Sequence, residues 1–400
     1  MSEPDGPDEP DGLDRLRERL AAELAARGEW PERSPWIRRA VEALPRHLFA
    51  PDRLWRWDGS AYVPLDRSAD PGGWAAEVYA GPYDPAVTQV TGGRATSSLS
   101  CQAVVVDMLD SLKVEPGHRV LELGTGTGWN AALLAHRTGP GGRVTSVEVD
   151  AEPAAQACAR LKETGTTGAE VAVHVGDGAA GWPGGAPWDR VIATYAVDEI
   201  PWTWVAQTRP GGRIVAPWGR LGHVALTVAA DGRSASGWLQ GLAAFMPARG
   251  TDDGRTWRQI RADGAPGRTG PFPRDVRELR NGHLLFAARV LLPDVRVLPG
   301  AAGDGTAWLH DGASSWAVLA TGDDGTATAH QGGPRRLADE LAGAWRWWLA
   351  ADRPEVYDFG MTVEPHHQHV WCRDPHTGRV PVEGGRPGYA VRRGRSRPVR

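Results

Sequence analysis

Apolar positions recur along the chain with two periods. In residues 13–27, Leu13, Leu16, Leu20 and Leu24 fall three and four apart, the spacing of an amphipathic helix, and a second helix is predicted over 35–44. Between 58 and 93, Gly, Pro and Asp interrupt the pattern and predict loops with short extended pieces. From about 100 to 240 the pattern becomes regular. It predicts a helix over 100–112, strand 118–123, helix 128–137, strand 143–149, helix 151–164 and strand 170–175. Strand 189–195, a short helix near 202–208 and strand 213–218 continue it. Strands separated by helices at this spacing imply a parallel sheet with helices on both faces.

After 240 the periodicity weakens. A Gly/Asp-rich stretch (249–271) reads as a linker or long loop. Strand candidates follow at 284–298, 306–310 and 315–320, then a helix over 335–350 and extended segments at 356–363 and 368–372. The expected organisation is an acidic disordered tail (1–12), a helical N-terminal and substrate-loop region (13–99), a cofactor-binding α/β domain (100–240), a C-terminal α+β domain suited to peptide recognition (241–385) and a basic disordered tail (386–400).

Charge changes this picture only at the ends. Residues 1–12 hold five acids and no base, and residues 386–400 hold six arginines and no acid, while the whole 400-residue chain carries a formal charge of −4. That balance, without a basic aromatic stripe, argues against nucleic acid as a partner. Cys101, Cys158 and Cys372 are scattered singly, as in a reducing compartment. The sequence shows neither a leading apolar segment nor a run of about 18 apolar residues, so a cytoplasmic protein without a membrane span is expected.

The chemistry concentrates in LELGTGTGWN, residues 121–130. Gly124, Gly126 and Gly128, with Thr125 and Thr127 between them, follow a predicted strand and open a helix, where positive φ and free N–H groups let a ligand approach the backbone. Glu148 ends the second strand and suits a pair of ribose hydroxyls. Asp177, in the Gly-Asp-Gly that ends at Gly178, follows the third strand and suits an adenine amino group. Glu122 is placed to meet the cofactor's amino group, directly or through water. The shortened glycine motif favours S-adenosyl-L-methionine over a dinucleotide, and hence a class I, Rossmann-like methyltransferase fold.

Several motifs resemble the protein-L-isoaspartate (D-aspartate) O-methyltransferase family: PRHLFAPDR (45–53), LELGTGTGW (121–129), GWPGGAPWDRVIATYA (181–196), EIP (199–201) and QTRPGGRIVAPWG (207–219). The resemblance runs over about residues 36–240. It implies a carboxyl O-methyltransferase acting on a peptide that bears Asp or isoAsp. The family's G-Q-T-I-S-x-P pattern is altered here. Gly93 and Ser97 match, while Arg94, Ala95, Thr96 and Leu99 replace Gln, Thr, Ile and Pro. Asn130, this altered stretch and a C-terminal extension of 160 residues are similar to actinobacterial homologues that methylate an aspartate of a ribosomal precursor peptide, which then closes to aspartimide.

That altered stretch, GGRATSSLSCQA (92–103), packs four hydroxyls into five positions. A carboxylate is already ionised at neutral pH and needs no general base, only alignment with the methyl donor and exclusion of water. Ser97, Thr96 and Ser98 are therefore the expected substrate-orienting residues, with Ser97 at the family's serine position and Ser100 expected as a helix cap. The alternatives are isoaspartyl repair and, from another class, a non-catalytic scaffold with a cofactor fold. His366, His367 and His369 have a metal-like spacing but lack a third ligand nearby and are expected to form a polar turn. Trp345, Trp347 and Trp348 are expected in the core.

Overall fold

A computed structural model describes residues 10–166, 170–219, 221–251, 254–262, 267–301 and 303–381. The described chain divides into two compact units, residues 10–251 with 355–379 and residues 254–354 with 380–381. Residues 1–9 of the expected acidic tail and the whole basic tail lie outside the described residues.

The first unit opens with helices α1 (Pro10–Ala26) and α2 (Pro35–Ala43). Pro35 begins α2, where a proline costs no helical hydrogen bond, and the helix buries Trp36, Ile37, Ala40 and Val41. There follow strands β1 (Arg53–Trp57) and β2 (Tyr62–Asp66), helix α3 (Pro71–Val78), and strands β3 (Ala86–Thr91) and β4 (Arg94–Leu99). The short extended pieces expected within 58–93 are β2 and β3, the helix α3 corrects the expectation of loop between them, and the strands form a four-stranded sheet in the order β2-β1-β3-β4. The Gly/Pro/Asp residues that suggested loops have local tasks. Asp58 accepts from the Ser60 and Ala61 N–H groups in the β1–β2 turn, and Asp70 caps α3 by accepting from Gly73 N–H at 2.8 Å. Pro64 sits on an edge strand, where its missing donor is harmless.

The regular region forms as the pattern indicated. Its elements are α4 (Gln102–Leu112), β5 (Arg119–Leu123), α5 (Trp129–Thr138), β6 (Arg143–Glu148), α6 (Ala151–Glu163), β7 (Glu170–Val175), β8 (Trp188–Ala193), α7 (Trp202–Ala206) and β9 (Thr208–Trp218). Strands β5 to β9 pair in parallel in the order β9-β8-β5-β6-β7. The four residues after Arg119 in β5 are all buried, as expected of a strand covered on both faces. Two strands unmarked by periodicity, β10 (Gly222–Val228) and β11 (Ala235–Leu242), extend this sheet antiparallel from β9.

The second unit contains α8 (Trp257–Ala262), β12 (Arg268–Pro271), α9 (Gly282–Leu291), β13 (Arg296–Pro299), β14 (Thr306–His310), β15 (Trp316–Thr321), β16 (Ala327–Gly332) and α10 (Leu337–Ala350). Its strands form an antiparallel sheet in the order β12-β16-β15-β14-β13. The strand expected from 284 is a helix as far as Leu291. Its continuous apolar run does not distinguish a buried helix from a buried strand, and Asn281 decides the matter by capping the N–H groups of His283 and Leu284. Trp345 and Trp348 are core residues as expected, and Trp347 is partly buried.

The chain then returns to the first unit. Strands β17 (Phe359–Glu364) and β18 (His367–Cys372), expected in the C-terminal domain, pair onto β11 and complete a nine-stranded sheet. His366 and His367 lie at the β17–β18 turn, and the described residues contain no metal-ligand cluster. The β10–β11 junction depends on Gly237, where a Cβ would fall 2.0 Å from the Ala225 carbonyl oxygen. Gly237→Ala is expected to destabilise the first unit by about 1–3 kcal/mol, read as a lower thermal unfolding midpoint.

Candidate active site

The sheet order reverses between β5 and β8. Chains emerging at their carboxyl ends diverge there and leave a crevice, the usual ligand position in such sheets. A cavity of about 440 Å³ occupies it, a volume in the range of small-molecule sites.

The glycine turn forms the floor. Gly124, Gly126 and Gly128 have φ of 93°, 53° and 90°, a region that side chains rarely enter. A Cβ at Gly124 would fall 2.4 Å from Thr194 Oγ1. The turn is tied down by side-chain hydrogen bonds. Glu148 Oε2 accepts from Gly126 N–H at 2.9 Å, and Thr125 Oγ1 and Ser146 Oγ are 2.6 Å apart. Ser146 also donates to Glu122, whose other oxygen accepts from Asn130 Nδ2 at 2.8 Å.

Of the cofactor residues expected from sequence, Gly124, Thr125, Gly126, Thr127, Glu148, Asp177 and Gly178 all line the cavity. Glu122 and Gly128 do not. Glu122 is fully buried, with its carboxylate on Ser146 and Asn130, and it stays off the cavity wall, whereas Asn130, bonded to it, reaches the wall. Gly128 instead packs against α6, with Ala157 and Leu161 both 3.4 Å from a Cβ built there. Asp177 accepts from Ala179 N–H through Oδ1 at 2.9 Å.

The hydroxyls stand on a strand. Thr96, Ser97 and Ser98 belong to β4 and line the cavity, so helix capping does not account for them. The expected capping role of Ser100 is also corrected: α4 begins after Cys101, which makes no side-chain cap. Two compensating irregularities shape the hairpin. Val87 pairs with Ser98, Gln89 with Ser97 and Val90 with Ala95, leaving Thr88 and Thr96 without opposite residues. Thr96 Oγ1 instead donates to Gln89 Oε1 at 3.1 Å. The β4 backbone lies beside the glycine turn, with the Ser98 carbonyl oxygen 3.9 Å from a Cβ built on Gly126.

Two groups around the cavity were not singled out in the sequence: Arg46, which holds the wall residues Leu99 and Ser100 without lining the cavity itself, and segment 244–249, which lines it. Arg46, from the PRHLFAPDR stretch, is 1% exposed, and burial pushes its pKa down to about 10. Its Nη2 donates to Ser100 O at 2.9 Å and to Leu99 O at 3.3 Å, and its guanidinium lies 5.6 Å from the centre of the Trp129 ring. Trp129, itself on the wall, donates its indole N–H to Leu44 O at 2.9 Å. Segment 244–249 joins the wall because Ala196 N–H donates to Met246 O at 2.8 Å and Ala248 N–H to Ala196 O at 2.9 Å. Its Arg249 pairs with Asp150 at 2.7 Å and also donates to Gln89, tying the hairpin to the start of α6. Only the pairing of distant segments brings these groups together.

A glycine turn at a parallel switch point, with acids after the two following strands, defines a class I methyltransferase. The donor set fits S-adenosyl-L-methionine: Glu148 would hold ribose hydroxyls, Asp177 an adenine amino group, and the open glycine backbone the space between them. Residues 67–239 match the family described as protein-L-isoaspartate (D-aspartate) O-methyltransferase. Relatives include the protein-L-isoaspartate O-methyltransferase of Methanopyrus kandleri, 34% identical over 51% of this chain and 77% of that one. Another, numbered 1 in an Anaeromyxobacter species, is 37% identical over 47% of this chain and 74% of its own. A solved structure of a protein-L-isoaspartate O-methyltransferase superposes with a TM-score of 0.50 at 22% identity, covering 90% of this chain and 100% of that one, a likeness of fold. The chain belongs to the protein-L-isoaspartate O-methyltransferase family, and its cofactor is S-adenosyl-L-methionine.

Burial raises the Glu122 pKa to about 7, against the hydrogen bonds from Ser146 and Asn130 that favour its charged form. Between the unfolded carboxyl value near 4.3 and this value, the folded protein binds the extra proton. Stability contributed by Glu122 is therefore present at low pH and lost as pH rises through about 7, a difference on the order of 3 kcal/mol. The thermal midpoint should fall from pH 5 to 7.5, and Glu122→Gln should flatten that slope.

Proposed function

We propose that the chain esterifies an aspartyl side-chain carboxylate in one dedicated ribosomal precursor peptide, in the cytoplasm, and that the ester then closes to aspartimide. The observation that carries this reading is the strand Thr96-Ser97-Ser98 beside the glycine turn. Neutral hydroxyls can orient a carboxylate without the strong ion pair that would blunt its nucleophilicity. Bound S-adenosyl-L-methionine supplies the electrophilic methyl of a sulfonium, which departs as a neutral thioether. Leu99, Val104, Met108 and Ile192 supply apolar wall that keeps water from the anion. After transfer, the backbone nitrogen following the esterified residue attacks the ester carbonyl and methanol leaves. The substitutions of Thr96 and Leu99 for the family's Ile and Pro support an acceptor other than the general one. The second unit is the proposed peptide-recognition element.

Family membership favours a second reading, methylation of isoaspartyl sites in damaged proteins. Labelled cofactor and two hexapeptides, one with L-Asp and one with L-isoAsp, separate the two. Slow transfer to both short peptides is expected, and fast turnover of the isoAsp peptide overturns the dedicated-substrate reading. Ser97→Ala is expected to lower turnover about ten- to a thousandfold with cofactor binding intact, the scale of losing one positioned donor. Asp177→Ala should instead weaken cofactor binding, measured by calorimetry.

A further inference from the structure

The cavity wall includes two tyrosines for which methyl transfer has no use. Tyr62 begins β2, and Tyr83 lies between α3 and β3. Each is held in place. Tyr83, although 52% exposed, donates its hydroxyl to Glu29 and has the Arg27 guanidinium 5.5 Å from its ring centre. Tyr62 packs edge-on against Trp57 with ring centres 5.1 Å apart. Phe245 and Met246 line the same cavity from the segment docked beside Ala196.

An immobilised aromatic ring at a cavity mouth has met its ordering cost during folding, so a ligand gains apolar contact there without paying it again. The nearby charges are engaged: Arg27 and Glu29 with Tyr83, and Arg249 with Asp150. That leaves a surface better suited to an apolar group than to a charged one. Tyr62, Phe245 and Met246 also fall outside residues 67–239, the part that matches the family.

We propose that Tyr62, Tyr83, Phe245 and Met246 form a subsite for a large apolar side chain on a residue flanking the acceptor aspartate or isoaspartate. This selectivity element rests on the carboxyl-methylation reading and adds a sequence preference to it. Its test uses the intact chain, labelled cofactor and two hexapeptides that share one acceptor residue and carry either Phe or Lys on both flanks.

Wild-type protein is expected to favour the Phe-flanked peptide by about ten- to a hundredfold in kcat/KM, the discrimination available to an apolar pocket. Tyr83→Ala and Phe245→Ala should each reduce that ratio several-fold, while Tyr83→Phe, which keeps the ring but loses the hydrogen bond to Glu29, should reduce it less than Tyr83→Ala does. Equal kcat/KM for the two peptides with wild-type protein overturns the subsite alone, as does an unchanged ratio in both alanine variants. Transfer to neither peptide overturns the subsite as a determinant of short-peptide selectivity and leaves the dedicated-substrate reading standing.

Discussion

Two buried carboxylates bonded to a glycine turn or to its supports organise the cavity of the first unit. Glu148 accepts the Gly126 N–H and holds the turn in the left-handed conformation that its glycines allow. Glu122 reaches the same turn indirectly, through Ser146 to Thr125, and also holds Asn130 on the first turn of α5. Burying an acid is unfavourable unless its oxygens are satisfied, and each oxygen of Glu122 has one donor. The raised pKa of Glu122 records the remaining desolvation cost. A floor built this way keeps its shape before any ligand arrives, the preorganisation that a transfer reaction requires.

The hydroxyl strand is set against this floor by a different means. Arg46 is buried beside Trp129 and donates to the carbonyls that follow the last hydroxyls of β4. Two irregularities in the β3–β4 hairpin release Thr96 from strand pairing, and Arg249 ties Gln89 and Asp150 together across the rim. The expected chemistry has the same economy: the acceptor is already an anion, so the chain's work is to aim it and keep it dry.

Legibility from sequence followed the range over which each force acts. The parallel region could be read because its strands are covered on both faces and its helices on one, so burial imposes a period on every element. The glycine turn, Glu148 and Asp177 could be read for the same reason: their places at strand ends follow once the strands are located. Before residue 93 the short strands could be read, while helix α3 and the pairing of the strands were hidden by turn residues that mark a loop and an element boundary equally well. Helix α9 was hidden by an apolar run that fits either period.

What the sequence determined by itself is therefore the α/β order, the glycine turn with the two acids that line the cavity beside it, and the cluster of hydroxyls, all encoded within one or two elements. Only the tertiary structure decided that the hydroxyls stand on a strand held by Arg46, that Glu122 stays off the cavity wall, and that Tyr62, Phe245 and Arg249 meet around one cavity. It also decided that β17 and β18 rejoin the first sheet across the second unit. These contacts join segments far apart in the chain, and no local period records which distant edge or carbonyl a residue will find.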